Sequence, residues 1–157
     1  MLDDHQALAR WRASAERPLV FTNGCFDILH RGHVAYLERA AALGATLLVA
    51  VNSDASVRRL EKGRLKMSME RPVNPLADRM AVLAALGAVD AVTAFDDDSP
   101  LALIKLTRPD HLVKGGDWAV ANIVGGGEVK AWGGEVHAIP FEFQRSTSDL
   151  IERIQSG

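Results

Sequence analysis

Short apolar runs alternate with helix-patterned segments along most of this chain, and that alternation narrows the fold more than any other feature. Residues 18–23 (PLVFTN), 46–52 (TLLVAVN), 89–95 (VDAVTAF), 111–116 (HLVKGG) and 133–140 (GGEVHAIP) read as strands. The second is apolar almost without a break, as in a strand covered on both faces. Between the strands, 34–44 carries Val34, Leu37 and Ala41 at helical spacing and stops at Gly44. SDASVRRL begins another helix, with Ser53 or Asp54 as cap. A helix over 74–87 has Asn74 as cap, Pro75 in the first turn and Leu76, Met80 and Leu83 as its buried stripe. Ser99 and Pro100 repeat the cap-then-proline device ahead of 101–107, and 146–154 reads as a last helix. Residues 1–17, with Leu8 and Trp11, read as a leading helix, and the basic stretch 61–73 as an exposed loop. The pattern predicts an α/β fold: one Rossmann-like, doubly wound domain over 1–157 with a five-stranded parallel sheet.

In such sheets ligands sit beyond the carboxyl ends of the strands, where the strand order reverses. Four loops can meet there: TNGCFDILHRGH, NSDAS, KGGDW and FEFQRSTS. A net charge of −2 offers no broad positive field, so neither nucleic acid nor an anionic membrane is expected as a partner. Any anion must be held by local groups. The single cysteine, Cys25, excludes an internal disulfide and favours a reducing compartment. The charged first 18 residues do not read as a signal peptide, and no apolar run reaches 18 residues. A cytoplasmic location is expected.

The tetrad HRGH, residues 30–33, falls where the first strand hands over to a helix. With 5 His and 13 Gly in 157 residues, chance would supply about 0.01 H-x-G-H matches. A helix start offers unpaired N–H groups and partial positive charge, which suit phosphate. Gly32 would let a phosphate approach the backbone, and His30 and His33, one turn apart, would reach the same anion. The competing readings are a turn with two solvated histidines, a zinc site completed by Glu38, and a cysteine nucleophile at Cys25. RSTSD places the hydroxyls of Ser146, Thr147 and Ser148 at a helix start, with Arg145 beside them. Ser146 and Asp149 also fit a purely structural capping box. LVKGGDW sets Lys114, Gly116, Asp117 and Trp118 after the fourth strand, as a ligand loop or as a tight turn. The run GGG at 125–127 follows no strand and is no dinucleotide fingerprint. No P-loop occurs, and KMS at 66–68 is read as chance.

The pattern T-x-G-x-F-D-x-x-H-x-G-H, followed by an S-T-S helix start, resembles the nucleotidyltransferase superfamily that includes cytidylyltransferases and pantetheine-phosphate adenylyltransferase. Within it, FTNGCFDILHRGHVAYLERAAALG, VAVNSDASVRRL, RPVNPLADRMAVLAALGAVD, PDHLVKGGDW and GGEVHAIPF…STSDLIERI resemble the D-glycero-β-D-manno-heptose 1-phosphate adenylyltransferases, over residues 18–154. The resemblance implies transfer of AMP from ATP to heptose 1-phosphate, giving ADP-heptose and pyrophosphate for the lipopolysaccharide inner core. Mg²⁺ would accompany ATP, and relatives suggest a homodimer. The alternatives are a cytidylyltransferase acting on glycerol 3-phosphate or a similar alcohol phosphate, and a nucleotide-binding module without catalysis.

Carried onto this chain, the resemblance gives His30, His33 and Lys62 catalytic roles. It gives Thr22, Asn23, Gly24, Cys25, Phe26, Gly32, Arg79, Lys114, Gly116, Asp117, Trp118, Ser146, Thr147 and Ser148 nucleotide contacts, and Asp27 and Asn52 substrate contacts. No residue is assigned to a metal. Three departures stand out. The stretch EKGRLKMSME is longer than usual, S-T-S replaces the common S-T-T, and Phe141 stands where cytidylyltransferases carry an arginine.

Overall fold

β1 (Leu19–Gly24) lies at the centre of a five-stranded, all-parallel sheet in a computed structural model that describes residues 2, 4–61, 71–143 and 147–156. Its neighbours are β2 (Thr46–Asn52) and β4 (His111–Gly115). β3 (Ala91–Phe95) and β5 (Glu135–Ile139) flank them, in the order β3-β2-β1-β4-β5. All four pairings are parallel, with Leu19 opposite Thr46, Val20 opposite His111, Leu48 opposite Ala91 and His111 opposite Glu135. Every residue of β2 is buried, as its unbroken apolar run requires.

Alternation along each strand divides the core in two. Val20, Val49, Val51, Val92 and Val113 point to one face, where α2 (Arg31–Ala41) and α4 (Leu76–Ala84) supply Tyr36, Leu37, Met80 and Leu83. Leu19, Phe21, Leu48, Ala50 and Leu112 point to the other. There α1 (His5–Ser14) supplies Leu8, α5 (Leu101–Thr107) supplies Leu103 and Ile104, and α6 (Gly126–Ala131) supplies Val129. α3 (Asp54–Glu61) follows β2, and α7 (Thr147–Ser156) follows β5. Strand order reverses between β1 and β4, so the carboxyl ends of these two strands frame the crevice that a doubly wound sheet offers to ligands.

Two local expectations change. Asn74 does not cap α4: its amide donates to the Asp27 carbonyl at 2.6 Å, and Pro75 takes the N-cap position without a side-chain bond. The glycines at 125–127 open α6, which the sequence pattern does not suggest because only Val129 and the neighbouring Ile123 point inward. Gly125 makes the entry at φ +82. Ser53 does cap α3, accepting from the Ser56 amide at 3.0 Å.

Candidate active site

His30 is the N-cap of α2, in extended conformation, and its Nδ1 accepts from the Gly32 amide at 3.1 Å. An Nδ1 that accepts leaves the ring proton on Nε2. The glycine follows from this geometry. A Cβ on residue 32 would lie 3.0 Å from the His30 ring and 3.3 Å from the Phe143 carbonyl. Close approach is therefore real at Gly32, though its neighbours are the His30 ring and the loop before α7.

The His33 ring lies against that of His30, with centroids 3.9 Å apart and planes tilted by 34°. Phe26 meets it edge-on at 5.6 Å and Phe141 at 6.1 Å. Burial, and secondarily the charge of His30, lowers the His33 pKa from 6.5 to about 4. The ring is neutral near pH 7. Its Nδ1 is buried and has no hydrogen-bond partner among the described residues. At this corner His33 is a hydrogen-bonding group held ready, not a fixed cation.

The second motif arrives at the same corner. The Thr147 hydroxyl, at the first turn of α7, donates to the Ile28 carbonyl at 3.3 Å, two residues before His30. The Arg31 guanidinium stacks 3.9 Å above the Phe143 ring. The H-x-G-H turn and the start of the S-T-S helix therefore share one wall at the carboxyl end of β1. Ser146 lies outside the described residues, as does Lys62. Ser148 is in the first turn of α7, with its side chain outside the described set.

A profile of the cytidylyltransferase-like family matches residues 21–153. This chain belongs to the cytidylyltransferase-like family. A D-beta-D-heptose 1-phosphate adenylyltransferase of Bordetella bronchiseptica is 59% identical over 141 residues, covering 90% of this chain and 84% of that protein. The bifunctional protein HldE of Koribacter versatilis is 52% identical over 148 residues. The match covers 94% of this chain but only 29% of the length of HldE. Among solved structures, a lipopolysaccharide core biosynthesis protein of Thermoplasma volcanium superposes with a TM-score of 0.62 at 25% identity, over 81% of this chain and 98% of that one. A pantothenate synthetase of Thermus thermophilus, at 21% identity and a TM-score of 0.58 over 85% of this chain and 59% of that one, shares the fold.

In this cytidylyltransferase-like chain a cavity of about 430 Å³ opens beside the histidine corner, on the α5–α6 side of the sheet edge. Asn23, Gly24 and Cys25 from the end of β1, Asn52 from β2, Lys114 from β4 and Trp118 from the following loop line it. The Lys114 ammonium donates to the carbonyl and amide oxygens of Asn23 at 3.3 and 3.5 Å and stands 5.9 Å from the Trp118 ring. Burial lowers its pKa, opposed by the nearby Cys25. Cys25 Sγ lies 3.9 Å from the Asn52 amide oxygen, and the Asn52 amide donates to Ser56 at 3.0 Å. Gly116 turns at φ +107, which leaves Asp117 exposed and Trp118 half exposed beyond it. Neither His30 nor His33 lines this cavity. The two compartments flank the ends of β1 and β4 from opposite faces.

Four expected ligand residues turn inward instead. Arg79 lies outside the Leu76, Met80 and Leu83 stripe, yet its side chain is fully buried. It donates to the carbonyls of Asn74 (3.0 Å), Cys25 (2.5 Å) and Asn52 (2.8 Å) and to the Asp54 carboxylate (2.7 Å). A guanidinium so engaged acts as a clamp across three loops. Asp27, also fully buried, accepts from Arg71 Nε and from the amides of Val73 and Asn74 at 2.8–3.0 Å. These bonds give it a loop-shaping role. Thr22 is buried and its hydroxyl lies 2.5 Å from the Tyr36 hydroxyl, inside the core. Phe26, buried with φ +47, packs on Gly24 and orients His33. Tyr36 itself was missed by the sequence reading. A lone tyrosine in a helical stripe gives no signal beyond core packing.

Proposed function

We propose that this chain transfers AMP from ATP to D-glycero-β-D-manno-heptose 1-phosphate, releasing pyrophosphate and forming ADP-heptose. The carrying observation is the tie from Thr147 to Ile28, which sets the hydroxyl-bearing helix start beside the paired histidines. Two helix starts then face one polyanion. The 59% identity to a heptose 1-phosphate adenylyltransferase supports the choice of sugar phosphate and of ATP.

A phosphate oxygen of the sugar attacks the α-phosphorus of ATP in line with the bond to the bridging oxygen. The new O–P bond forms as that bond breaks, and pyrophosphate carries away the electron pair. The attacking phosphate is already ionised near pH 7, so no enzyme base or covalent intermediate is required. Catalysis is positioning plus stabilisation of charge on the five-coordinate phosphorus. His30, through Nε2–H, and His33, as a neutral imidazole, donate to the α-phosphate oxygens. The approach of the polyanion raises their proton affinity and strengthens both bonds. Ser146, Thr147 and Ser148 bind the β- and γ-phosphates, and Lys62 adds charge from the basic loop. Asp117 and Trp118 face the adenosine. The 430 Å³ cavity takes the sugar phosphate, with the Asn52 amide as a polar contact, while Lys114 and Trp118 on its wall serve the nucleotide.

Mg²⁺ enters as part of the substrate, Mg-ATP. Asp98, on the cavity wall, is paired with Arg59 at 2.8 Å, and Mg²⁺ would be held mostly by phosphate oxygens and water. We place the reaction in the cytoplasm and expect a homodimer. No helix among the described residues is long and apolar enough to cross a membrane.

Pyrophosphate release on mixing the protein with Mg-ATP and heptose 1-phosphate tests the reading. Release with CTP and glycerol 3-phosphate in place of that pair makes the chain a cytidylyltransferase. Nucleotide binding without release under either pair makes it a binding module.

A further inference from the structure

Three side chains that the proposed reaction does not use converge at the opposite end of the sheet. His111 opens β4 and Glu135 opens β5, directly opposite it in register. His137 lies two residues further along β5. His111 shares the facing of Val113, and Glu135 and His137 that of Ile139, so all three project from the α2 face. His111 Nδ1 lies 3.1 Å from His137 Nε2, which lies 3.4 Å from Glu135 Oε2. The third side of the triangle is 3.9 Å.

Two other potential ligand atoms crowd around His137 Nε2. His137 Nε2 faces both the His111 nitrogen and the Glu135 oxygen, and a neutral ring nitrogen carries one proton or one lone pair. If it accepts from His111, its lone pair faces the carboxylate. If it donates, one proton serves two acceptors. A cation among the three atoms would have one ligand atom from each residue around it.

The spacing fits a small ion. The point equidistant from three atoms separated by 3.1, 3.4 and 3.9 Å lies about 2.0 Å from each, the length of zinc bonds to imidazole nitrogen and carboxylate oxygen. Two imidazoles and one carboxylate are a donor set for zinc-like divalent transition metals, not for Mg²⁺ or Ca²⁺. The histidines are partly buried while Glu135 is 68% exposed, so a fourth position opens to water. We propose that His111, Glu135 and His137 form a binding site for one zinc-type divalent ion, which pins the edge strand β5 to β4. The site is separate from the nucleotide crevice, since His111 begins the strand whose far end carries Lys114 to the cavity, about 10 Å along.

The test is calorimetric titration of the untagged, chelator-treated full chain with zinc sulfate, repeated with Co²⁺ to read the visible absorption of a low-coordinate site. The wild type is expected to bind one equivalent and to melt at a higher temperature in zinc. His137→Gln should weaken binding by more than about a hundredfold, beyond what loss of a mere outer-shell partner costs. It should abolish the cobalt absorption and keep normal turnover. Glu135→Gln, at an exposed position, gives the same direction if His137→Gln fails to fold. His33→Asn should bind zinc like the wild type. No zinc uptake by the wild type, or unchanged uptake in both strand variants, overturns the proposal. So does loss of uptake in His33→Asn, which would move the ion to the His30–His33 pair.

Discussion

Replacing Arg79 with Met separates a clamp from a phosphate ligand. The methionine fills much of the same volume but leaves the carbonyls of Cys25, Asn52 and Asn74 and the Asp54 carboxylate without their donor. Hydrogen bonds to a charged donor contribute about 1.5–3 kcal/mol each when intact. The four do not add, because Cys25 and Asn52 border the cavity, where water can replace part of the loss. Breaking a buried ionic network by removing one member costs about 3–5 kcal/mol, and that is the expected loss. For a chain of this size it lowers Tm on the order of 10 °C. Calorimetry and urea unfolding of the free protein measure it without nucleotide. Asp54→Asn keeps an acceptor for Arg79 and should cost no more than about 1–2 kcal/mol. A phosphate role predicts the reverse pattern, so an Arg79→Met protein that melts within about 2 °C of the wild type while its KM for ATP rises sharply would refute the clamp.

Three further outcomes are expected. His33→Ala should lower turnover at least about a hundredfold, as loss of one transition-state donor does, while Tm moves by no more than a few degrees. Steady-state pyrophosphate release and a melting curve check it. The pH dependence of stability carries the mark of the same ring. Its folded pKa of about 4 lies below the unfolded 6.5, so the unfolded chain binds the extra proton between those values. The contribution of His33 is fully present above pH 6.5 and is lost as pH falls through about 4, with a ceiling of about 3 kcal/mol. Unfolding of wild type and His33→Asn from pH 3.5 to 7.5 should show a shallower slope in the variant, and an NMR titration midpoint near 6.5 would contradict it. Tyr36→Phe removes the partner of the buried Thr22 hydroxyl and a donor to the Val113 carbonyl. It should cost about 1–3 kcal/mol by urea unfolding.

The legibility of this protein divides along a physical line. Periods of two and of about three and a half are local properties, so 46–52 could be read as the buried strand β2 and 34–44 as the helix α2 before any contact was known. The parallel sheet and the ligand-bearing end followed, and the H-x-G-H turn announced itself by falling at that end. What the chain could not disclose alone is which way a polar side chain turns once distant segments meet. Arg79 sits at a helical position that reads as outward, and only the approach of the loops at Cys25, Asn52 and Asn74 surrounds it with carbonyls. Thr22 and Asp27 look like motif residues, yet Tyr36 and the loop at 71–74 take their hydrogen bonds. His111 and His137 are 26 residues apart and meet only because β4 and β5 pair in one register. Hydrophobic patterning is written residue by residue, whereas a buried polar group takes whatever donor or acceptor the folded backbone delivers, and that depends on contacts between remote segments.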